Sequence, residues 1–178
     1  MKHPQYPCNV DAWNRDWTLV RTEKNLRTSY GHDVECAWLV LEAANALGRK
    51  PASLRNWAQA ICAHSIGFGF DKTHGGFFAS GPLTGMSDDR QKIWWTQAEA
   101  MVAMLVMKRL TGEEGYQDLF ETTFHFVEQH HVASDGGWWA TLEADGSFGG
   151  SQSRTSMWQG AYHNGRSLLM CERLLRSE

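Results

Sequence analysis

The sequence has few of the residues that mark secreted or metal-binding proteins. Its 178 residues include four prolines and four cysteines, and no two cysteines form a C-x-x-C pair. Two of the cysteines lie in apolar helical stretches, so we expect buried free thiols in a reducing compartment rather than disulfides or metal ligands. The first residues, MKHPQYPCNV, contain no apolar signal segment. We therefore expect a cytoplasmic protein.

Long apolar runs and clusters of basic residues are also missing. The longest uncharged apolar run, Ala100 to Met107, is far shorter than the roughly 20 residues that a transmembrane helix needs. The formal net charge is −3, and the 17 lysines and arginines are scattered along the chain. The sequence therefore predicts neither a membrane span nor a nucleic-acid partner.

Aromatic residues and helical patterns are abundant instead. Nine Trp and eight Phe residues suit a deep core or the stacking walls of a carbohydrate site, and composition does not choose between them. Apolar periodicity predicts an all-α fold in a single domain of residues 1–178. Two Gly-Gly segments, residues 74–80 and 135–148, are typical of short strands or hairpins between helix pairs. The predicted helices span about residues 33–47, 52–66, 92–110, 114–131 and 162–176.

Several features recur at an interval of 64 residues. Glu35, Glu99 and His163 follow one another at this spacing (99 − 35 and 163 − 99), and Gly48 and Gly112 share it. A period that holds two helices and a hairpin predicts a stacked array of α/α units. Equivalent helices in such an array run parallel.

The apolar pattern of each helix indicates its layer. The third helix is apolar nearly all round, which predicts burial on most sides. The fourth has Phe120, Phe124 and Val127 on one stripe and polar residues opposite, which predicts an outer helix. The first, third and fifth helices then form an inner layer, and closing the array into a ring would give an α/α toroid.

Parallel inner helices place their amino-terminal ends at one end of the molecule. A lone histidine near a helix start is more often a cap or surface residue, and a glutamate there can simply complement the helix dipole. Convergence at one mouth is what favours a site, and no H-E-x-x-H or C-x-x-C pattern indicates a metal. We expect this mouth to gather His32, Glu35, Trp95, Glu99, Trp158, His163, Asn164 and Arg166.

These residues lie in segments that resemble the N-acylglucosamine 2-epimerase family, which includes cellobiose 2-epimerases and aldose–ketose isomerases of mannose-like sugars. The resemblance implies an (α/α)6 toroid with a mono- or disaccharide pocket at one mouth. Because family members are roughly twice as long, it also implies that this chain is the carboxyl-terminal half of the toroid. From Trp17 onward, the matching segments are SYGHDVECAWLVLEA, WWTQAEA, the GGWW hairpin and YHNGR.

The resemblance also implies a role for each residue. His32 and His163 would be the acid/base histidines, and Glu35 and Glu99 would hold and polarise the substrate. The reaction opens the sugar ring and removes the proton from carbon 2, giving an enediol-type intermediate without a metal or redox cofactor. The remaining residues would line or support the site: Trp38, Trp95, Trp158, Asn164 and Arg166.

Two other functions remain open at this point. A glycoside hydrolase on the same kind of toroid could use Glu35 and Glu99 as its paired carboxylates. A non-catalytic carbohydrate-binding or assembly module could keep the aromatic wall alone. Because a half toroid leaves the flanks of its inner helices uncovered, we also expect the chain to form a homodimer or another self-associated state, and activity to depend on that assembly.

Overall fold

The computed structural model describes residues 1–49, 52–150 and 152–176, and this part of the chain is mainly helical. The five predicted helices are all found, with short strands before the inner helices and after the outer ones. The helices are α1 (Tyr30–Ala46), α2 (Ala52–Gly69), α3 (Trp94–Thr111), α4 (Gly115–Phe126) and α5 (Asn164–Arg176). The strands are β1 (Arg27–Ser29), β2 (Ser80–Pro82), β3 (Lys92–Ile93) and β4 (Thr141–Leu142).

The 64-residue repeat is visible in the helix boundaries. Helices α1 and α3 begin at residues 30 and 94, which are 64 positions apart. Each is followed by a glycine in the left-handed region, Gly48 with φ of 66° and Gly112 with φ of 77°. In this conformation the chain makes the turn that ends a helix and gives its last carbonyl groups hydrogen-bond partners. Glycine adopts this conformation without a steric penalty. The repeat prediction is therefore confirmed for the first two α/α units.

The layers also follow the prediction. Every residue of α3 from Thr96 to Met107 is buried, and α3 packs against α1 on one side, α5 on the other and α4 on its outer face. Phe120 on α4 and Val127 directly after it are buried, as an outer helix requires. Phe124 is 36% exposed, so its assignment to the buried stripe was wrong.

The inner helices run in the same direction. At one end, the ring of His32 in α1 lies 4.8 Å from that of Trp95 in α3. At the other end, Leu41, Val106 and Leu174, from later turns of α1, α3 and α5, line a common cavity of about 620 Å³. Because starts meet starts and ends meet ends, the three helices are parallel.

The strands differ from the predicted local hairpins. The antiparallel pairs are β1 with β2 and β3 with β4. Each pair joins the segment before an inner helix to the segment after the next outer helix, so it closes one α/α unit. Near Gly146 the predicted turn is present, with its N–H donating to the Glu143 carbonyl at 3.0 Å. The partner of β4 is nevertheless β3, which lies before α3 at the start of the unit.

The fourth predicted helix changes its winding near its end. Residues 114–131 were expected to form one helix, but α4 stops at Phe126 and a π-helical turn, Val127–His131, follows. The turn brings the His131 ring nitrogen Nδ1 to 2.8 Å from the Trp139 carbonyl, where it donates a hydrogen bond. Through this hydrogen bond, the π-helical turn after α4 contacts the segment before β4.

The cysteines agree with the expectation of free thiols. All four are unpaired, and Cys8, Cys62 and Cys171 are buried. Burial raises the pKa of the Cys62 thiol to about 12, so it stays protonated and unreactive. None of the described helices combines the length and the apolarity that crossing a bilayer requires.

His131 makes the fold sensitive to acid. Burial lowers the pKa of His131 to about 4, from 6.5 in an exposed histidine. Between these values His131 binds more protons in the unfolded chain than in the folded one, so its contribution to the free energy of unfolding falls as the pH drops, by up to about 3 kcal/mol. Urea unfolding from about pH 7 to about pH 4.5 should show a steeper loss for the wild type than for His131→Gln. Parallel curves for the two proteins would contradict this assignment.

Candidate active site

A pocket of about 290 Å³ opens at the amino-terminal ends of the inner helices. The rings of His32 and His163 both contact the indole of Trp95, at centroid distances of 4.8 and 5.3 Å. Two imidazoles from different helices therefore share one aromatic wall. The lining residues are His32, Trp94, Trp95, Trp158 and His163.

Helix starts place these side chains at the pocket. His32 is the third residue of α1, and its backbone N–H donates to the capping Ser29 hydroxyl at 3.4 Å. Trp95 is the second residue of α3, and His163 directly precedes α5. The predicted convergence of residues far apart in the sequence is thus present in the structure.

A fully buried carboxylate organises the layer behind the pocket. Glu99 is 0% exposed, and its Oε1 accepts from His163 Nδ1 at 2.6 Å and from Arg166 Nη2 at 2.6 Å. Its Oε2 accepts from the Trp38 indole N–H at 2.9 Å. Charge-assisted hydrogen bonds of this kind offset the cost of removing a carboxylate from water.

The bond to Glu99 determines which nitrogen of His163 can react. A carboxylate only accepts, so Nδ1 carries the proton that is donated to Glu99. In the neutral ring the other nitrogen, Nε2, is then unprotonated and able to take up a proton. This arrangement suits a general base.

Arg166 connects the two predicted glutamates. The same Nη2 that donates to Glu99 donates to Glu35 Oε1 at 3.1 Å. The guanidinium lies 4.0 Å from the centroid of the Tyr162 ring and 4.8 Å from that of Trp38. Burial acts to lower the pKa of Arg166, but the charge of Glu99 and the hydrogen bonds raise it overall, so the cation persists.

The predicted residues thus form two connected groups. His32, Trp95, Trp158 and His163 line the pocket, although Trp158 is 77% exposed and stands at its rim. Behind the pocket, hydrogen bonds connect Glu99 to His163, Arg166 and Trp38. Arg166 also donates to Glu35. The exception is Asn164, whose side-chain oxygen accepts from the Gly165 N–H at 2.9 Å at the start of α5.

Two residues near the histidines were missed by the sequence reasoning. Trp94 was not among the expected site residues, but it is both buried and part of the pocket lining. Tyr162 contacts the His163 ring edge-on at 4.7 Å and lies under Arg166. Their position next to Trp95 and His163 in the chain was the available signal.

A metal ion is a chemical possibility at the same groups. One ligand atom from each of Glu35, Glu99 and His163 lies within 4.8 Å of the others. Arg166 already places a positive charge between the two carboxylates, and both oxygens of Glu99 accept hydrogen bonds. A metal ion would have to displace that guanidinium, so the residues present fit an arginine-centred cluster better.

Substituting Glu99 should destabilise the fold. Glu99→Gln places an amide donor against groups that are themselves donors and removes the buried partner of Arg166, which should cost about 2–3 kcal/mol. The matched control is Glu35→Gln, which loses one longer hydrogen bond and should cost about 1 kcal/mol or less. Chemical denaturation measures both, and equal losses would contradict the central position assigned to Glu99.

The sequence is similar to those of known sugar 2-epimerases. The sequence model of the N-acylglucosamine 2-epimerase (GlcNAc 2-epimerase) family matches residues 9–164. A cellobiose 2-epimerase of Bacteroides fragilis is 35% identical over 152 residues, which are 83% of this chain and 37% of that protein. An N-acylglucosamine 2-epimerase of Rattus norvegicus is 29% identical over 153 residues, 82% of this chain and 35% of that protein.

A solved structure extends the similarity to the fold. The cellobiose 2-epimerase of Bacillus thermoamylovorans superposes with a TM-score of 0.82 at 26% identity, over 98% of this chain and 43% of that one. The helix array is therefore part of an (α/α)6 toroid. The chain spans little more than a third of the length of the curated relatives it matches. By sequence and fold, it belongs to the N-acylglucosamine 2-epimerase family.

Proposed function

We propose that this chain supplies the histidine pair of a sugar 2-epimerase or aldose–ketose isomerase. The observation that carries the proposal is the placement of His32 and His163 on one aromatic pocket, with His163 held by the buried Glu99. In this proposal residues 1–178 form one domain, equivalent to the carboxyl-terminal half of a toroid. The substrate is a mono- or disaccharide with a reducing end.

The proposed reaction is proton transfer at carbon 2 of the opened sugar. One histidine removes the carbon-2 proton, and the electron pair of that bond forms the enediolate with the neighbouring carbonyl. Returning a proton to the opposite face of carbon 2 gives the epimer. Delivering it to carbon 1, while the hydroxyl proton on the carbon-2 oxygen moves to the carbon-1 oxygen and the carbonyl forms at carbon 2, gives the ketose. Positioned bases and donors to the enediolate supply this catalysis, so no cofactor is required.

The geometry supports His163 as one of the two acid/base groups. Glu99 fixes the ring orientation and stabilises the imidazolium that forms when Nε2 takes a proton. The family resemblance implied that Glu99 holds the substrate, but its oxygens are already hydrogen-bonded and it does not line the pocket. We therefore assign Glu99 to positioning His163, with Arg166 and Trp38 holding Glu99 in turn.

The other site residues have separate proposed parts. His32 is the second acid/base group, since it lines the pocket across the same indole. Trp95 and the exposed Trp158 offer faces on which a sugar can stack. Glu35 balances the Arg166 charge by accepting its hydrogen bond. Asn164 supports the start of α5 beside His163.

A hydrolase is less well supported than an epimerase. Glycoside hydrolysis needs two carboxyl groups flanking the bond to be cleaved. Glu35 and Glu99 both accept from one Arg166 nitrogen, and Glu99 is fully buried behind the pocket. Neither carboxyl group is among the residues that line the pocket, so neither is placed to donate a proton to a glycosidic oxygen.

Deuterium incorporation from D2O tests the proposed chemistry. Mannose, N-acetylmannosamine and cellobiose should gain deuterium at carbon 2 with the wild type, and His163→Ala should reduce the rate by at least about 100-fold, because it removes a general base. The matched control is His125→Ala on the outer helix α4, which should exchange like the wild type.

The negative outcome is equally specific. If no sugar exchanges with wild type or variants while calorimetry still detects sugar binding, the chain is a non-catalytic carbohydrate-binding module. Release from a chromogenic glycoside without exchange would favour the hydrolase.

We also propose that the chain associates with a second copy through α5. Leu168 and Leu169 on this helix are 45% and 69% exposed, and Tyr162 just before it is also exposed. Exposed large apolar side chains grouped along one helix favour its use as an interaction face. A second copy would cover it and extend the ring towards the missing part of the pocket wall.

Sizing at micromolar concentration tests the association. The wild type should elute as a dimer or larger, and Leu169→Glu should shift it to a monomer because a charge then lies in the interface. Met86→Glu, on an exposed loop residue, is the control and should leave the elution unchanged. A stable wild-type monomer would exclude the proposal.

A further inference from the structure

Asp33 takes no part in the pocket, although it directly follows His32. Its side chain is 0% exposed. Oδ1 accepts from the Asn9 backbone N–H at 2.6 Å, and Oδ2 accepts from the Thr28 hydroxyl at 2.7 Å. The ring nitrogen Nδ1 of His64, on α2, lies 4.0 Å from Oδ2. One carboxyl group thus ties the first turn of α1 to the amino-terminal segment and to β1, and faces α2.

Burying this group is costly, so its hydrogen bonds must compensate. A carboxyl removed from water without partners costs several kcal/mol. Burial raises the pKa of Asp33 to about 7, and the bonds from Thr28 and Asn9 act against that rise. The positive end of the α1 dipole also favours a carboxylate in this turn. The hydrogen bonds and the helix dipole therefore both stabilise a carboxyl group at this position.

His32, by contrast, depends on its backbone for its place. Within the described residues, its ring contacts Trp95 and makes no hydrogen bond. The turn that carries it packs directly on the same indole, because a Cβ at Gly31 would lie 2.5 Å from a ring carbon of Trp95. A small displacement of the first turn of α1 would therefore move His32 relative to the pocket.

The second repeat contains an equivalent anchor. Gln97 stands 64 residues after Asp33 (97 − 33) and is also fully buried. Its Oε1 accepts from the Phe77 N–H and its Nε2 donates to the Phe77 carbonyl, both at 2.7 Å. It fixes the first turn of α3, which carries Trp95. The two rings in contact, His32 and Trp95, thus stand on turns that are each held by a buried polar side chain at the same repeat position.

We propose that Asp33 is a positioning residue for His32, acting by hydrogen bonds that fix the first turn of α1 against the segments around it. The catalytic meaning of that position rests on the proposed function, but the positioning itself does not. Asp33→Asn should preserve it, since the amide oxygen can accept from Asn9 and the amide nitrogen can donate to the Thr28 hydroxyl. Asp33→Ala removes both bonds.

NMR of the full chain, with histidine and tryptophan labelled, measures the position directly. The wild type and Asp33→Asn should show nuclear Overhauser contacts between the His32 and Trp95 rings, and Asp33→Ala should lose them while the His163–Trp95 contacts remain. Met104→Ala, in the buried middle of α3, is the control for general destabilisation and should keep both sets. If sugars exchange deuterium, Asp33→Ala should slow the rate by about 10- to 100-fold and Asp33→Asn by no more than about threefold.

The outcomes separate this inference from the function. Ring contacts that persist in a folded Asp33→Ala overturn the positioning role, whatever the activity. Loss of the contacts in Asp33→Asn as well would overturn the hydrogen-bond account in favour of a requirement for charge. Loss of the same contacts in Met104→Ala would show that they report stability alone. A chain without any exchange activity, but with the expected contact pattern, would refute the proposed function and retain the inference.

Discussion

The buried carboxylate of Glu99 is the constraint on which the site depends. It lies in the first turns of a helix that is buried along its length, where an uncompensated charge would be prohibitive. Compensation comes from one group on each neighbouring inner helix, Trp38 on α1 and Arg166 on α5, and from His163 just before α5. Removing any of these partners unbalances the others. The same network that stabilises the array therefore also orients the histidine.

The parallel packing of the inner helices gives this network its functional direction. Their starts meet at the pocket, where the positive ends of the helix dipoles lie close together. Such an end is a suitable environment for the negative charge that develops on an enediolate. The opposite ends meet around a cavity that Leu41, Val106 and Leu174 line together with charged residues such as Glu42 and Arg55. The end at which the helices start thus carries the two histidines of the candidate site.

Much of this could be predicted from the sequence. The 64-residue interval between Glu35 and Glu99 indicates that the first and third helices are equivalent, and each glutamate is the sixth residue of its helix. His163 lies at the same interval but just before α5. The all-round or one-sided apolar patterns indicate which helices are inner. Helix ends at Gly48 and Gly112 follow from local backbone chemistry. A repeated residue spacing is visible in the sequence itself. A helix end depends on the residues within one turn, so it too can be predicted from the sequence.

Other features were decided only by tertiary structure, because they depend on groups far apart in the chain. No residue near Glu99 in the sequence shows whether its carboxylate faces the substrate or the Arg166 guanidinium, which is 67 residues away in the chain. The pairing of β4 with β3 rather than with a local hairpin partner depends on how α3 and α4 fold back to close the unit. The sequence by itself determined the helices, their order and the end at which the polar residues gather. Packing in three dimensions decided which of those residues touch, since burial and hydrogen-bond geometry exist only once distant segments meet.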